Sequence, residues 1–212
     1  MTPRYHDAES VFVVDQSRCI GCEACVQACG ECGTHRGQSL IHLDFLERGV
    51  TTQSAPMVCM HCTDPTCAEV CPADAIKVNE DGVVQSALKP RCIGCSNCVV
   101  ACPFGVPRYF AALDQMMKCD MCFDRTSEGL APMCASVCPS QALWYGTHAE
   151  FAETRTGFLV DEWLFGREKV STRVHTVAHI DGPFDVLGDR GDPHWLDDPF
   201  ALEDAASGAS DG

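Results

Sequence analysis

Short apolar runs set between polar turns are the main pattern along this chain. Residues 11–15 (VFVVD) and 142–145 (ALWY) are rich in β-branched and aromatic residues, so we predict a strand at each place. Residues 39–45 (SLIHLDF) predict a third strand. The longest uninterrupted apolar run has five residues, which predicts that the protein has no transmembrane helix.

Two short apolar runs near residue 80 predict a β-hairpin. Residues 73–78 (ADAIKV) and 83–84 (VV) flank the polar residues 79–82 (NEDG). An Asp-Gly pair between apolar runs is typical of a tight turn, because glycine readily adopts a positive φ. Residues 123–133, which include a Gly and a Pro, predict a loop insertion instead.

The pattern becomes irregular after residue 148. Scattered aromatics predict a short helix over residues 149–165, and alternating Val and Thr predict a strand over residues 167–180. Residues 181–212 contain nine Asp or Glu against one Arg, yet they keep Phe184, Trp195 and Phe200. This segment is either a solvated tail or an extended arm that places its aromatic side chains on a partner subunit. We favour the arm, because a disordered tail should carry fewer large apolar residues.

Composition adds a chemical constraint to this pattern. The 212 residues include 17 Cys, and the formal net charge is -15. The acidity argues against nucleic acid as the main partner, because phosphate binding needs clustered Lys and Arg. No apolar segment opens the sequence, so we expect no signal peptide there and do not expect a secreted disulfide protein.

The spacing of the cysteines divides sixteen of them into four groups and leaves Cys32 over. Three groups end in a Cys-Pro pair, and Gly30 takes the place of the proline in the first group. The groups are Cys19, Cys22, Cys25 and Cys29; Cys59, Cys62, Cys67 and Cys71; Cys92, Cys95, Cys98 and Cys102; and Cys119, Cys122, Cys134 and Cys138.

These spacings are typical of [4Fe–4S] clusters. Three closely spaced cysteines hold one cluster, and the fourth, followed by Pro, ligates the other cluster of a two-cluster ferredoxin. Zinc sites also use C-x2-C pairs, but a third and a fourth cysteine at these spacings have no use there. Cysteines three apart rarely suit a disulfide. Since no group lacks a thiolate, the pattern favours electron carriage over substrate chemistry at iron.

In a two-cluster ferredoxin the first three cysteines of one group share a cluster with the fourth cysteine of the other group. This crossed arrangement assigns the ligands of four clusters. The middle groups form an inner unit, and the economical inference is that the flanking groups pair around it as an outer unit. The predicted sets are Cys59, Cys62, Cys67 and Cys102; Cys92, Cys95, Cys98 and Cys71; Cys19, Cys22, Cys25 and Cys138; and Cys119, Cys122, Cys134 and Cys29.

The predicted fold class is therefore α+β, a tandem of two nested two-cluster units like bacterial ferredoxin, with a long irregular C-terminal arm. The predicted boundaries are residues 1–58 for the first half of the outer unit and a connector, 59–110 for the inner unit, 111–147 for the second outer half, and 148–212 for the extension, acidic from residue 181.

Group by group, the sequence resembles the four-cluster iron–sulfur subunits of membrane-bound molybdopterin oxidoreductases, including those of dimethyl sulfoxide reductase, polysulfide or thiosulfate reductase and formate dehydrogenase. The resemblance covers residues 10–147 and does not specify a substrate. The matching stretches are residues 19–25 (CIGCEAC), 59–67 (CMHCTDPTC), 92–107 (CIGCSNC to Pro107), 118–125 (KCDMCFDR) and 132–139 (PMCASVCP).

The resemblance implies a relay. The cluster of Cys19 would lie nearest a catalytic subunit with molybdenum or tungsten, followed by those of Cys119, Cys59 and Cys92, the last nearest a membrane anchor that handles quinone. The protein would then be a peripheral membrane subunit, either cytoplasmic or exported with a signal-bearing partner. A free soluble polyferredoxin is the alternative, and a zinc-binding structural protein is a weaker one.

Several residues near the cysteines have two interpretations. Cys29 is the favoured ligand because its spacing matches the other groups; Cys32 is then a spare thiol, or it replaces Cys29. We interpret His35 and His61 as structural, because every cluster already has four thiolates. Lys77, Arg91 and Lys118 are candidates for tuning cluster potentials, although a solvated surface side chain is the simpler interpretation of each.

Overall fold

The computed structural model describes residues 10–45, 49, 51–88 and 90–178. Strands and short helices alternate along these residues, so the predicted mixture of helix and strand is confirmed. The strands are β1 (Ser10–Val14), β2 (His42–Phe45), β3 (Ser54–Met57), β4 (Arg108–Phe110), β5 (Gln115–Met117), β6 (Leu143–Thr147), β7 (Phe158–Phe165) and β8 (Glu168–Ala178). The helices are α1 (Ala24–Gly30), α2 (Thr66–Glu69), α3 (Asn97–Ala101), α4 (Phe123–Thr126), α5 (Met133–Ser136) and α6 (His148–Thr154).

The largest sheet joins the two ends of the described residues. Its strand order is β6-β1-β8-β7, with β1 antiparallel to β6 and parallel to β8. Residues 11–14 of β1 are all buried, which explains their continuous apolar run. The strands predicted before the first cysteine group and after the fourth are therefore neighbours, in register with Phe12 opposite Tyr145.

The helix predicted over residues 149–165 is only half right. α6 begins with a capping box in which Thr147 and Glu150 bond each other's backbone N–H, and it ends at Thr154. Residues 158–165 instead form β7, which pairs with β8 in an antiparallel hairpin. Gly157, at φ +117°, separates the two, because that conformation cannot continue a helix. The strand predicted over residues 167–180 corresponds to β8, with residues 179 and 180 outside the described part.

Three other local predictions need correction. The hairpin predicted near residue 80 is reduced to a single bridge between Val78 and Val84, because Asn79 Oδ1 takes the N–H of Val83 that a longer ladder would use. The loop predicted over residues 123–133 contains α4 before its turn. The strand predicted over residues 39–45 is β2, which begins only at His42 and pairs with β3.

The helices pack in pairs that follow the cysteine groups. α1 packs against α5, and α2 packs against α3. The first pair belongs to groups one and four and the second to groups two and three. No helix in the described ranges is long and apolar enough to span a membrane. The acidic segment of residues 181–212 lies outside the described residues.

Candidate metal centres

The third cysteine of each group lies on a short helix and is buried, and α1 carries Cys29 as well. α1, α2, α3 and α5 carry Cys25, Cys67, Cys98 and Cys134, and all four are buried. The loop before α1 turns at a glycine, Gly21, whose φ is +69°, and the loop before α3 does the same at Gly94, with φ +67°. Glycine tolerates this conformation since it has no Cβ. The Cys-Ile-Gly-Cys sequence therefore lets both of its cysteines line one cavity.

Three cavities are each lined by four cysteines from two different groups. Their empty volumes are similar, about 290, 290 and 340 Å³. The first is lined by Cys19, Cys22, Cys25 and Cys138, the second by Cys71, Cys92, Cys95 and Cys98, and the third by Cys59, Cys62, Cys67 and Cys102. The structure thus brings the fourth cysteine of one group to the first three of another.

Five thiols remain, all buried: Cys32 and the four of the predicted fourth set, Cys29, Cys119, Cys122 and Cys134. Burial raises the pKa of Cys134, and the charges of Cys119 and Cys29 raise it further. A hydrogen bond with Cys32 and burial raise the pKa of Cys122, to which the charges of Cys119 and Cys134 add. The packing agrees for three of them, since Cys29, Cys119 and Cys134 belong to one cluster of buried side chains.

Several sulfurs accept hydrogen bonds, as thiolate ligands of a cluster do. Leu40 N–H donates to Cys29 Sγ at 3.2 Å, and Ala75 N–H donates to Cys71 Sγ at 3.2 Å. The Ser54 hydroxyl lies 3.1 Å from Cys19 Sγ. Each donor favours the charged form of the sulfur that it faces.

The thiols are nonetheless hard to ionise by themselves. Burial raises the pKa of Cys25, Cys62 and Cys119 to about 12, and that of Cys67 to about 11. In each case nearby thiolates add to the effect. In each cavity four sulfurs converge, and as anions they repel one another. The linings contain few acidic side chains and no histidine. Such a site fits a cofactor that binds several thiolates at once, such as a [4Fe–4S] cluster.

The four sets differ in how far they reach the surface. Cys22 and Cys95 are exposed, whereas the other fourteen predicted ligands are buried or half-buried. Ile20 and Ile93 occupy the same position in their Cys-Ile-Gly-Cys loops and are 66% and 68% exposed. The sets of Cys19 and Cys92 therefore each present an apolar surface beside an exposed thiol.

Neighbouring sets influence one another in a defined order. The charge of Cys25 raises the pKa of Cys134, and that of Cys59 raises the pKa of Cys119. The charge of Cys98 likewise raises the pKa of Cys67. These contacts link the set of Cys19 to that of Cys119, then to that of Cys59, and finally to that of Cys92.

A polar network that sequence reasoning missed surrounds the buried set. His35 is fully buried; its Nδ1 lies 2.8 Å from the Cys29 carbonyl oxygen and its Nε2 lies 2.7 Å from Asp120 Oδ1. Both nitrogens face acceptors, so the imidazolium form satisfies both. Burial lowers the pKa of His35, but the bonds to Asp120 and Cys29 outweigh it and raise the pKa overall. No spacing in the sequence links His35 to Asp120, which is 85 residues away.

Cys32 belongs to the edge of this network. It is buried, and its Sγ lies 3.2 Å from Asp124 Oδ1. Hydrogen bonds with Cys122 and His35 lower the pKa of Cys32, while burial and the contact with Cys32 raise the pKa of Asp124. Its Sγ, a ring nitrogen of His35 and the Sγ of Cys122 all lie within 4.8 Å of one another. Cys32 thus contacts the set of Cys119 from the side of Cys122.

The other residues with two interpretations divide between interior and surface. His61 is buried and accepts the N–H of Val84 at its Nδ1, which fits the structural role expected of it. Lys77 and Arg91 are half-exposed and both pair with Asp74. Lys118 is buried, contrary to the surface position that is its simpler interpretation.

Comparison with known families supports the chemistry of these sites. Residues 50–148 match the 4Fe-4S dicluster domain, and residues 12–31 match the 4Fe-4S binding domain. The first match contains groups two, three and four, and the second contains group one. The ferredoxin-like character expected of the protein is confirmed.

Comparison with individual proteins finds iron–sulfur and reductase subunits. The sequence is 38% identical to the probable anaerobic dimethyl sulfoxide reductase chain YnfG of Escherichia coli over 155 residues, 67% of this sequence and 75% of that protein. It is 35% identical to the formate dehydrogenase iron-sulfur subunit of Wolinella succinogenes over 162 residues, 64% of this sequence and 80% of that protein. It is 34% identical to the iron-sulfur subunit of the nitrate-inducible formate dehydrogenase of Escherichia coli over 172 residues, 71% of this sequence and 58% of that protein.

Proposed function

The protein belongs to the family of 4Fe-4S subunits of molybdopterin oxidoreductase complexes, and we propose that it holds four [4Fe–4S] clusters and relays electrons between a catalytic and a membrane subunit. The observation that carries the proposal is that three cavities are each lined by four cysteines from two different groups. A bound cluster would accept and release single electrons. The protein supplies thiolates, hydrogen bonds and shielding from water.

We assign the ligands as the four sets described above. The three cavities support three of the assignments, and the mutual charge effects of the buried thiols support the fourth. Each set draws on two groups, which is the crossed arrangement of a two-cluster ferredoxin. The packing of α1 on α5 and of α2 on α3 supports a nested tandem of two such units.

Cys29, rather than Cys32, is the ligand that we propose for the buried set. Cys29 Sγ accepts an N–H, which stabilises a thiolate. Cys29 also stands four residues after Cys25, as the fourth cysteine of each other group stands after its third, whereas Cys32 stands seven residues after Cys25. Cys32 is then a buried neighbour of Cys122 outside the ligand set.

The order of the sets along the molecule supports a relay with two accessible ends. The sets of Cys19 and Cys92 lie at the ends of the series and have the exposed thiols Cys22 and Cys95. We propose that the end at Ile20 meets a molybdenum or tungsten catalytic subunit, and that the end at Ile93 meets a membrane anchor that handles quinone. The apolar side chains there would be covered on assembly.

This assignment makes the protein a peripheral subunit at the membrane, on the cytoplasmic side or exported with a signal-bearing partner. Residues 181–212 are the arm that we propose for partner binding, on the basis of their aromatic residues. Deletion of the arm should weaken assembly of the complex without changing its cluster content, as measured by gel filtration and iron analysis.

Purification of the native protein tests the proposed function. We expect it to co-purify with a subunit that contains molybdopterin and with a membrane protein. A stable monomer that carries its clusters and binds neither partner would contradict this and would favour a soluble polyferredoxin. A zinc-containing, iron-free protein would contradict the cluster assignment itself.

A further inference from the structure

Lys118 is buried and lines a cavity of cysteines. Among the described residues, no other cationic side chain does both. Its side chain lines the cavity of Cys59, Cys62, Cys67 and Cys102 and is 2% exposed. Its own backbone precedes Cys119, the first cysteine of the neighbouring set. Lys118 therefore lies between the two sets in the middle of the series.

The amine of Lys118 has fixed partners. Nζ donates to the carbonyl oxygen of Val84 and, at 3.1 Å, to that of Cys119. The backbone is held as well, since Ser86 Oγ donates to the Lys118 carbonyl at 2.6 Å and accepts its N–H at 3.0 Å. These bonds hold the ammonium group in one place relative to both sets.

No carboxylate forms an ion pair with Lys118 among the residues that the structure describes, although its charge reaches Asp120. None of the ion pairs found there includes Lys118, and its two Nζ partners are neutral carbonyl groups. A buried charge without an opposite charge is strongly unfavourable. The natural opposite charge is in the cavities themselves, because a cluster with four thiolates is an anion of roughly -2 when oxidised and becomes more negative on reduction.

The field of Lys118 reaches the thiols that it faces. After burial, which raises the pKa of Cys67, the charge of Lys118 is the largest influence and lowers it. Lys118 also lowers the pKa of Asp120, beside the set of Cys119. For the shifted thiols of the two terminal sets, Cys25 and Cys98, Lys118 is not among the largest influences on the pKa.

We propose that Lys118 is a built-in cation that makes reduction of the two central clusters easier, most of all the cluster held by Cys59, Cys62, Cys67 and Cys102. The inference rests on the proposed function, since it needs clusters in both sets. A positive charge stabilises the extra electron of a reduced cluster, so it raises the midpoint potential. Lys118 would thereby keep the middle of the relay from becoming a barrier between its two ends.

Redox titration of the purified holoprotein complex, followed by EPR, tests this proposal. Lys118→Gln keeps N–H donors but removes the charge, and Lys118→Arg keeps the charge. In the Gln variant we expect the equilibrium constant for reducing the cluster of Cys59 to fall about tenfold, which is about 59 mV for one electron. The cluster of Cys119 should shift less in the same direction, the two terminal clusters should not shift, and the Arg variant should resemble the wild type.

Matched controls separate charge from structure. Lys77→Gln removes a half-exposed lysine that pairs with Asp74 and should leave both central clusters unchanged. Ser86→Ala loosens the backbone of Lys118 and should cause a smaller shift of the same two clusters. This second variant tests the proposal even if Lys118→Gln does not assemble.

The outcomes distinguish this proposal from the proposed function. If Lys118→Gln has four clusters with unchanged potentials, the proposed role of Lys118 is wrong but the proposed function stands. Shifts confined to the terminal clusters in Ser86→Ala would have the same meaning. Fewer than four clusters in the wild-type protein would overturn the proposed function, and the role of Lys118 with it.

Discussion

The set of Cys19 and the set of Cys119 are held by the same pair of helices, α1 and α5, yet they have different surroundings. Cys22 of the first set is exposed, whereas Cys29, Cys119, Cys122 and Cys134 of the second are all buried. The inner unit repeats this contrast, with Cys95 exposed in one set and no exposed cysteine in the other. Each pair of sets thus combines a site that a partner can approach with a site that is part of the core.

The difference in exposure gives the two kinds of cysteine set different functions. A site at the surface can exchange electrons with another protein, because the distance to that protein stays short. A buried site can only pass electrons within the molecule, but its thiols pack in the same cluster as Phe12, Leu143 and Val174. Loss of a buried set should therefore affect the fold as well as the relay.

The largest expected effect is on stability. Cys134→Ser should remove the cluster of a buried set and lower the free energy of unfolding by at least about 3 kcal/mol, since metal-binding energy at a buried site is folding energy. Cys95→Ser, in an exposed set, should remove at most about four irons per molecule and leave the other clusters intact. Iron analysis and thermal unfolding compare the two variants. Equal destabilisation by both would remove the distinction between core and surface sets.

A second prediction concerns the ligands of one buried set. Cys29→Ser should alter one cluster and leave three intact, because Cys29 Sγ accepts the N–H of Leu40 as a thiolate does. Cys32→Ser should change no cluster, since a hydroxyl can still donate to Asp124. EPR of the reduced proteins measures both. A changed spectrum in Cys32→Ser together with an unchanged one in Cys29→Ser would reverse the assignment.

A third prediction uses the two exposed isoleucines. Ile20→Glu should weaken binding of the catalytic subunit and Ile93→Glu that of the membrane anchor, each about tenfold or about 1.4 kcal/mol. Stability of the protein should change by no more than about 0.5 kcal/mol, since both side chains are mostly exposed. Leu164→Glu, at a residue on β7 that is 71% exposed, is the matched control. Binding measurements that show no loss in either isoleucine variant would remove these surfaces from the account.

The smallest expected effect is on the pH dependence of cluster assembly. A thiol whose pKa is raised keeps its proton at neutral pH, and iron must displace that proton. Assembly should therefore become more favourable as the pH rises from about 7 to about 9. The response should be steep in three of the four sets, the accessible set of Cys19 included, because Cys25, Cys62, Cys67 and Cys119 have pKa values raised to about 11 or 12. Iron incorporation into the apoprotein at both pH values measures this, and a yield that falls with pH would contradict it.

The sequence was most informative where local chemistry decides the structure. Cysteine spacing places each third cysteine on a short helix, and the structure has those helices at Cys25, Cys67, Cys98 and Cys134. The apolar runs before group one and after group four predicted β1 and β6. The spacing within one group does not say which other group completes its cluster. That pairing was predicted from the ligand arrangement of two-cluster ferredoxins, in which each cluster takes its fourth cysteine from the other group.

The remaining features depend on contacts between distant residues. The sequence around Lys118 does not indicate whether its side chain is buried or exposed. Its burial depends on the carbonyl oxygens of Val84 and Cys119, which accept hydrogen bonds from Nζ. The bond from His35 to Asp120 is equally non-local. The prediction of helix over β7 is wrong because its aromatics lack a clear period, and its pairing with β8 decides its conformation.

The most direct test of the central claim is the number and identity of the clusters in the purified protein. We predict about sixteen irons per molecule and four distinct [4Fe–4S] signals in an EPR-monitored reductive titration. Exposure to an iron chelator should then abolish two signals first, those of the sets that contain Cys22 and Cys95. Fewer than four signals, or four that disappear at one rate, would contradict a relay with two accessible ends and a buried middle.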